Sequence, residues 1–141
     1  KNEYYTKGGI EMDFYLSEGG VRTVLPFGEL DISGNEELGY GPFQLMIASV
    51  AGCSASVFRK VLDKKRITID DLKISAETER SPDEANKITS IHLRFVVKGV
   101  GLKKDQIEKS LEIARKNCSM IRTIEDSVKI TETLEIVNLS N

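Results

Sequence analysis

From Gly41 to Arg66 the sequence reads GPFQLMIASVAGCSASVFRKVLDKKR, and this stretch constrains the fold more than any other. Proline at the first helical position costs nothing, because its missing N–H would be unpaired there anyway. Lys60, Lys64, Lys65 and Arg66 bring positive charge to the negative end of the helix dipole. These signals predict one helix from Gly41-Pro42 to about Lys65. It is apolar nearly all the way round, and such a helix must be covered on most of its sides. Gly52, in its middle, costs about 1 kcal/mol relative to alanine. That cost points to another backbone or a ligand approaching closely beside Cys53.

The flanking segments read as strands. IEMDFYL (Ile10 to Leu16) alternates, with Met12, Phe14 and Leu16 on one face. A turn at Glu18–Gly20 leads into VRTVLPF, where Val21, Thr23, Leu25 and Phe27 alternate and Pro26 marks an edge or an end. Gly28 to Gly41 reads as a polar connecting loop. After the helix, Asp71–Glu79 alternates, SPDEANK reads as a hairpin-like loop, and Ile88–Gly99 returns with Ile91, Leu93, Phe95 and Val97 toward the core. A second helix is expected from about Lys103, with Ile107, Leu111, Ala114 and Cys118 on its apolar face or just past its end. SVKITETLEIV closes the chain as a strand. At 141 residues the expectation is one α+β domain over residues 1–141: a β-hairpin, a long buried central helix, further strands and a second helix. One further helix and about five strands are too few to cover the central helix, so an intertwined homodimer is expected, with two central helices packed between sheets.

A net charge of −2, with both signs interspersed, argues against nucleic acid as a partner, which requires a concentrated basic face. The first residues carry acidic groups and no apolar core, so no signal peptide is expected. The apolar run Leu45–Phe58 is shorter than the roughly 20 residues that span a bilayer. No membrane partner and a cytoplasmic, thiol-reducing location are therefore expected. Two cysteines in that setting are either inert core residues or a redox pair, and composition does not choose between them. Their 65-residue separation and the single histidine argue against a zinc site; no metal or organic cofactor is expected. His92, the one candidate base for a Cys–His hydrolase, falls opposite Ile91 and Leu93 and reads as an ordinary strand residue.

GPFQLMIASVAGCSAS, followed some sixty residues on by ARKNCSMIRTI and a closing VKITETLEI strand, resembles the osmotically inducible and organic-hydroperoxide-resistance family (OsmC/Ohr). The likeness runs through nearly the whole chain in the same order of elements. Its most specific parts are the Pro-x-x-Leu helix start before a mid-helix cysteine and the second cysteine followed by a short apolar stretch. The resemblance implies a thiol peroxidase for organic hydroperoxides. Cys53 would become a sulfenic acid, Cys118 would resolve it as an intrasubunit disulfide, and a dithiol reductant would recycle the pair. It also implies an arginine from the N-terminal hairpin beside the reactive thiolate, for which Arg22 is the candidate. Arg59 and Arg122 are alternative cations whose plainer reading is surface charge. In the hydroperoxide-resistance branch a glutamate follows the helix-opening proline; here that residue is Phe43. The alternative reading is a small-molecule binding or redox-sensing protein of the same fold, without efficient turnover.

Overall fold

The computed structural model describes residues 5–6 and 9–140. Part of the N-terminal stretch behind the leader-free reading lies outside them. Two compact units divide the chain, residues 1–46 and 47–141.

The first unit is built of short strands. β1 (Tyr5–Thr6) pairs with β2 (Gly9–Ile10), and β3 (Tyr15–Ser17), β4 (Gly20–Val24) and β5 (Glu29–Ser33) form an antiparallel meander. Gly19 takes φ +75° in the β3–β4 turn, a conformation that glycine reaches without the Cβ penalty and that tight hairpins require. At Gly20 a Cβ would strike the Ile32 carbonyl of β5.

Two expectations are corrected here. The strand read over Ile10–Leu16 is two pieces, with no regular structure at residues 11–14 and with Met12, Phe14 and Leu16 exposed. Alternation marks a face that would gain from cover; it does not by itself supply a partner strand. The segment read as a loop from Gly28 contains β5, whose polar sequence ELDIS is held by five backbone pairings with β4. β4 itself stops at Val24, because Leu25 and Gly28 close a tight turn through two backbone hydrogen bonds of 3.0 Å. Pro26 occupies that turn and Phe27 is turned out to solvent.

The second unit carries the apolar core. α1 (Pro42–Lys64) crosses the unit boundary after Met46. β6 (Asp71–Ser81) and β7 (Lys87–Gly99) form an antiparallel hairpin, and β8 (Lys129–Asn138) adds parallel to β7, giving the order β6-β7-β8. Parallel neighbours cannot be joined by a tight turn; the connection runs through α2 (Lys104–Asn117) and α3 (Ser119–Ile124). α3 was not expected, because six residues are too few to show a helical period.

On the inner face of β7, Ile91, Leu93, Phe95 and Val97 are fully buried, as their alternation predicts. α1 meets this core along a stripe of Val50, Ser54, Phe58 and Leu62, a four-residue spacing that keeps them on one helix face. Phe58 packs edge-on against Phe95 with ring centroids 5.8 Å apart. Burying a side chain of that size contributes about 1.5–3 kcal/mol.

The rest of α1 is less covered: among the described residues, 28% of its most apolar window is buried. A Cβ at Gly52 would meet nothing within 4 Å among the described residues, so the close approach expected there is not found among them. By length and composition alone α1, 23 residues with a window hydropathy of 1.5, would suffice to cross a bilayer. The exclusion drawn from the shorter Leu45–Phe58 run is corrected to that extent. Its buried stripe nevertheless packs on β7 as a core helix does.

Candidate functional site

Both cysteines belong to the second unit. Cys53 sits one residue before Ser54, at the edge of the buried stripe of α1, and is half-buried. Cys118 is 0% exposed. It stands where α2 ends and α3 begins, in an extended conformation (φ −80°, ψ 109°) that breaks the helical path. Asn117 donates from Nδ2 to the Ile113 carbonyl at 2.8 Å, and the Arg122 N–H donates to the Cys118 carbonyl at 3.0 Å. The first bond closes the last turn of α2 and the second opens α3, so the corner holds Cys118 in place.

The two thiols, 65 positions apart in sequence, lie near enough that Cys53 acts on the titration of Cys118. Both are reduced. Burial pushes the Cys118 thiol up from its ordinary pKa, and contact with Cys53 pushes the same way, while the backbone N–H groups of Met120 and Ile121 pull against it. The balance leaves Cys118 a protonated thiol at neutral pH. This arrangement can host two-electron thiol chemistry: one sulfur is partly accessible, and a second, shielded one lies near it. The N–H groups of Met120 and Ile121 have no counterpart in the sequence reading, since nothing in the sequence reveals where a six-residue helix begins.

Arg22 is on β4 directly opposite Asp31 of β5 and donates to its carboxylate through Nε (2.6 Å) and Nη2 (3.1 Å), with Glu29 at 3.8 Å. Asp31 in turn is held below the usual carboxylate range, chiefly by the hydrogen bond from Arg22. Arg122 makes an exposed ion pair with Glu125 at 3.5 Å, and Arg59 is an exposed residue of α1. His92 lies on the sheet face opposite the core, against the hydroxyls of Thr131 (2.6 Å) and Thr133 (3.1 Å), so no Cys–His pair forms among the described residues. No group of three or more His, Cys, Asp or Glu suited to a metal occurs among the described residues.

Residues 34–133 match the OsmC-like protein family. Protein YhfA of Escherichia coli strain K12 is 30% identical over 97 residues, 68% of this chain and 72% of that protein. A hypothetical protein from Aquifex aeolicus VF5 has a TM-score of 0.83 at 21% identity, over 92% of this chain and 97% of that one. An organic hydroperoxide resistance protein OsmC from Legionella pneumophila has a TM-score of 0.70 at 20% identity, over 96% and 99%. These two likenesses establish the fold, an α+β OsmC-like architecture. The family match spans both cysteines and well over half the sequence, and the chain belongs to the OsmC-like protein family.

Proposed function

We propose that this protein is a thiol-dependent peroxidase that reduces organic hydroperoxides. The observation that carries the reading is a half-buried Cys53 lying near enough to a fully buried Cys118 to act on its titration. The Cys53 thiolate attacks the peroxide: an S–O bond forms, the O–O bond breaks, and the alcohol leaves with a proton. Cys118 then attacks the sulfenic acid, an S–S bond forms, and water leaves with the Cys118 proton. A dithiol reductant returns two electrons and two protons. A sulfenic acid stays reversible only if a thiol reaches it before further oxidation, and the adjacent Cys118 meets that requirement. Its burial and raised pKa keep it from competing for peroxide, because the thiolate is the reactive form. The half-apolar surroundings of Cys53 favour organic peroxides over hydrogen peroxide.

Arg22 is assigned as the counter-charge of the Cys53 thiolate on the family resemblance, with Asp31 as the carboxylate that orients it where Phe43 replaces glutamate. The functional unit is a homodimer in a thiol-reducing cytoplasm. The open side of α1 around Gly52, with Ala48 and Ser56 one turn to either side, supports a second helix packing there, since small residues let backbones approach. Phe43 favours the second reading, a binding or redox-sensing protein without rapid turnover.

The test is single-turnover thiol loss with stoichiometric cumene hydroperoxide, then hydrogen peroxide. Two thiols should be lost rapidly with the organic peroxide. Cys53→Ser should abolish that loss, and Cys118→Ser should stop at the sulfenic acid. Reaction no faster than that of a free thiol would leave the second reading.

A further inference from the structure

The two sulfurs differ in what can reach them. Cys118 is fully buried and belongs to the apolar core with Ala114 and Ile121. Cys53 packs against that core from α1 and stays half-buried. Cys118 is also fixed: it holds an extended backbone between two helices, and its carbonyl accepts the Arg122 N–H at 3.0 Å. A reductant therefore meets the Cys53 side of a bridge between them, and the sulfur it expels stays close by.

We infer that Cys118 sets the reductant specificity of the thiol pair by evicting monothiols from Cys53. The inference rests on the proposed thiol-pair reading, because it needs a Cys53–Cys118 bridge. A reductant thiolate attacks the Cys53 sulfur of that bridge. A new S–S bond to the reductant forms, the Cys53–Cys118 bond breaks, and Cys118 leaves as a thiolate that takes up a proton. Cys118 can run this step backwards, losing its proton, re-forming the bridge and releasing the reductant as thiolate. A monothiol escapes only when a second molecule attacks the bound one, which frees Cys53 as thiolate. A dithiol escapes within one molecule: its second thiolate attacks its own bound sulfur, a cyclic disulfide forms, and Cys53 leaves.

Magnitudes favour eviction. The burial that raises the Cys118 pKa lowers its thiolate fraction about tenfold for each pKa unit, and returns about threefold in nucleophilicity. Placement near the target weighs far more. Well-oriented intramolecular reactions reach effective concentrations of about 10⁵–10⁸ M, against a millimolar monothiol in solution. A neighbouring thiol that falls far short of that ideal still wins.

The experiment uses the full chain bridged with diamide, so no peroxide step enters it. At equal thiol concentration, both protein thiols should return at least about a hundredfold faster with dithiothreitol than with glutathione. Acid quench and peptide mass spectrometry should find glutathione on Cys53, with Cys118 free. Cys118→Ser, loaded with glutathione on Cys53, should release it to the two reductants at rates within about tenfold of each other. Cys118→Ala carries the same expectation should the serine variant not fold, with the urea midpoint as the check. Equal rates in the parent, an undiminished preference in the folded variant, or glutathione on Cys118 overturns this inference alone. Failure of diamide to bridge the two thiols within one chain overturns it together with the thiol-pair reading.

Discussion

Oxidising the thiol pair should stabilise the protein, by an amount that follows from the chain topology. Cys53 and Cys118 are 65 positions apart and near one another in the folded chain. A disulfide between them would remove loop-closure entropy from the unfolded chain and require little movement of the folded one. For a loop of that length the entropic estimate is about 4 kcal/mol at room temperature. With a urea m-value of about 2 kcal/mol/M, usual for a small domain, the midpoint should rise by about 2 M. The assay is equilibrium urea unfolding of the peroxide-treated and the dithiol-reduced protein, followed by circular dichroism, with free thiols counted in each. Cys53→Ser, which cannot form the bridge, should show equal midpoints after the two treatments. The reasoning is refuted if the parent loses both thiols within one chain and its midpoint stays level or falls. The bond would then have formed at the expense of the α2–α3 corner or of α1, and the folded chain would not hold the thiols where the bridge closes.

Alkylation of the reduced protein should discriminate between the thiols. Cys53 should label at least about tenfold faster than Cys118 by peptide mass spectrometry, because a buried thiol reacts only through local opening; equal rates would remove the basis for assigning their order. Cys118 also predicts a pH dependence. Its folded pKa is raised above the unfolded value, so its contribution is fully present below about pH 8.5 and is lost as pH rises through the folded pKa. Between pH 8 and 10 the parent should therefore lose stability more steeply than Cys118→Ala, by up to about 1.4 kcal/mol per pH unit for one proton; parallel slopes would argue against a protonated buried thiol. Phe58→Ala, at a fully buried position stacked edge-on with Phe95, should cost about 3–5 kcal/mol in urea unfolding. A loss under about 1 kcal/mol would mean that the α1 stripe is not the contact that seats the helix on the sheet.

Local chemistry in the sequence determined a good part of this protein. The proline start and basic end of α1 mark a helix wherever it packs, and the structure ends it at Lys64. The alternation Ile91, Leu93, Phe95, Val97 specifies a strand with one buried face, because a period of two admits no other register against a core. The spacing of Ile107, Leu111 and Ala114 likewise brought Cys118 to the end of α2. Tertiary structure decided what depends on partners distant in sequence. β5 is polar and short and exists through its pairing with β4. The strand read through Ile10–Leu16 is broken because its apolar side chains find no covering layer within their own unit. The meeting of Cys53 with Cys118 needs α1 seated on the sheet and the α2–α3 corner brought over the core, and no pattern of either helix alone encodes that approach. Glu132 shows the same division: alternation places it on the face of Ile130 and Leu134, but only the packed chain shows one carboxylate oxygen buried without a hydrogen-bond partner. Periodicity is a property of a few neighbouring residues; the nearness of two thiols and the isolation of one oxygen belong to the whole fold.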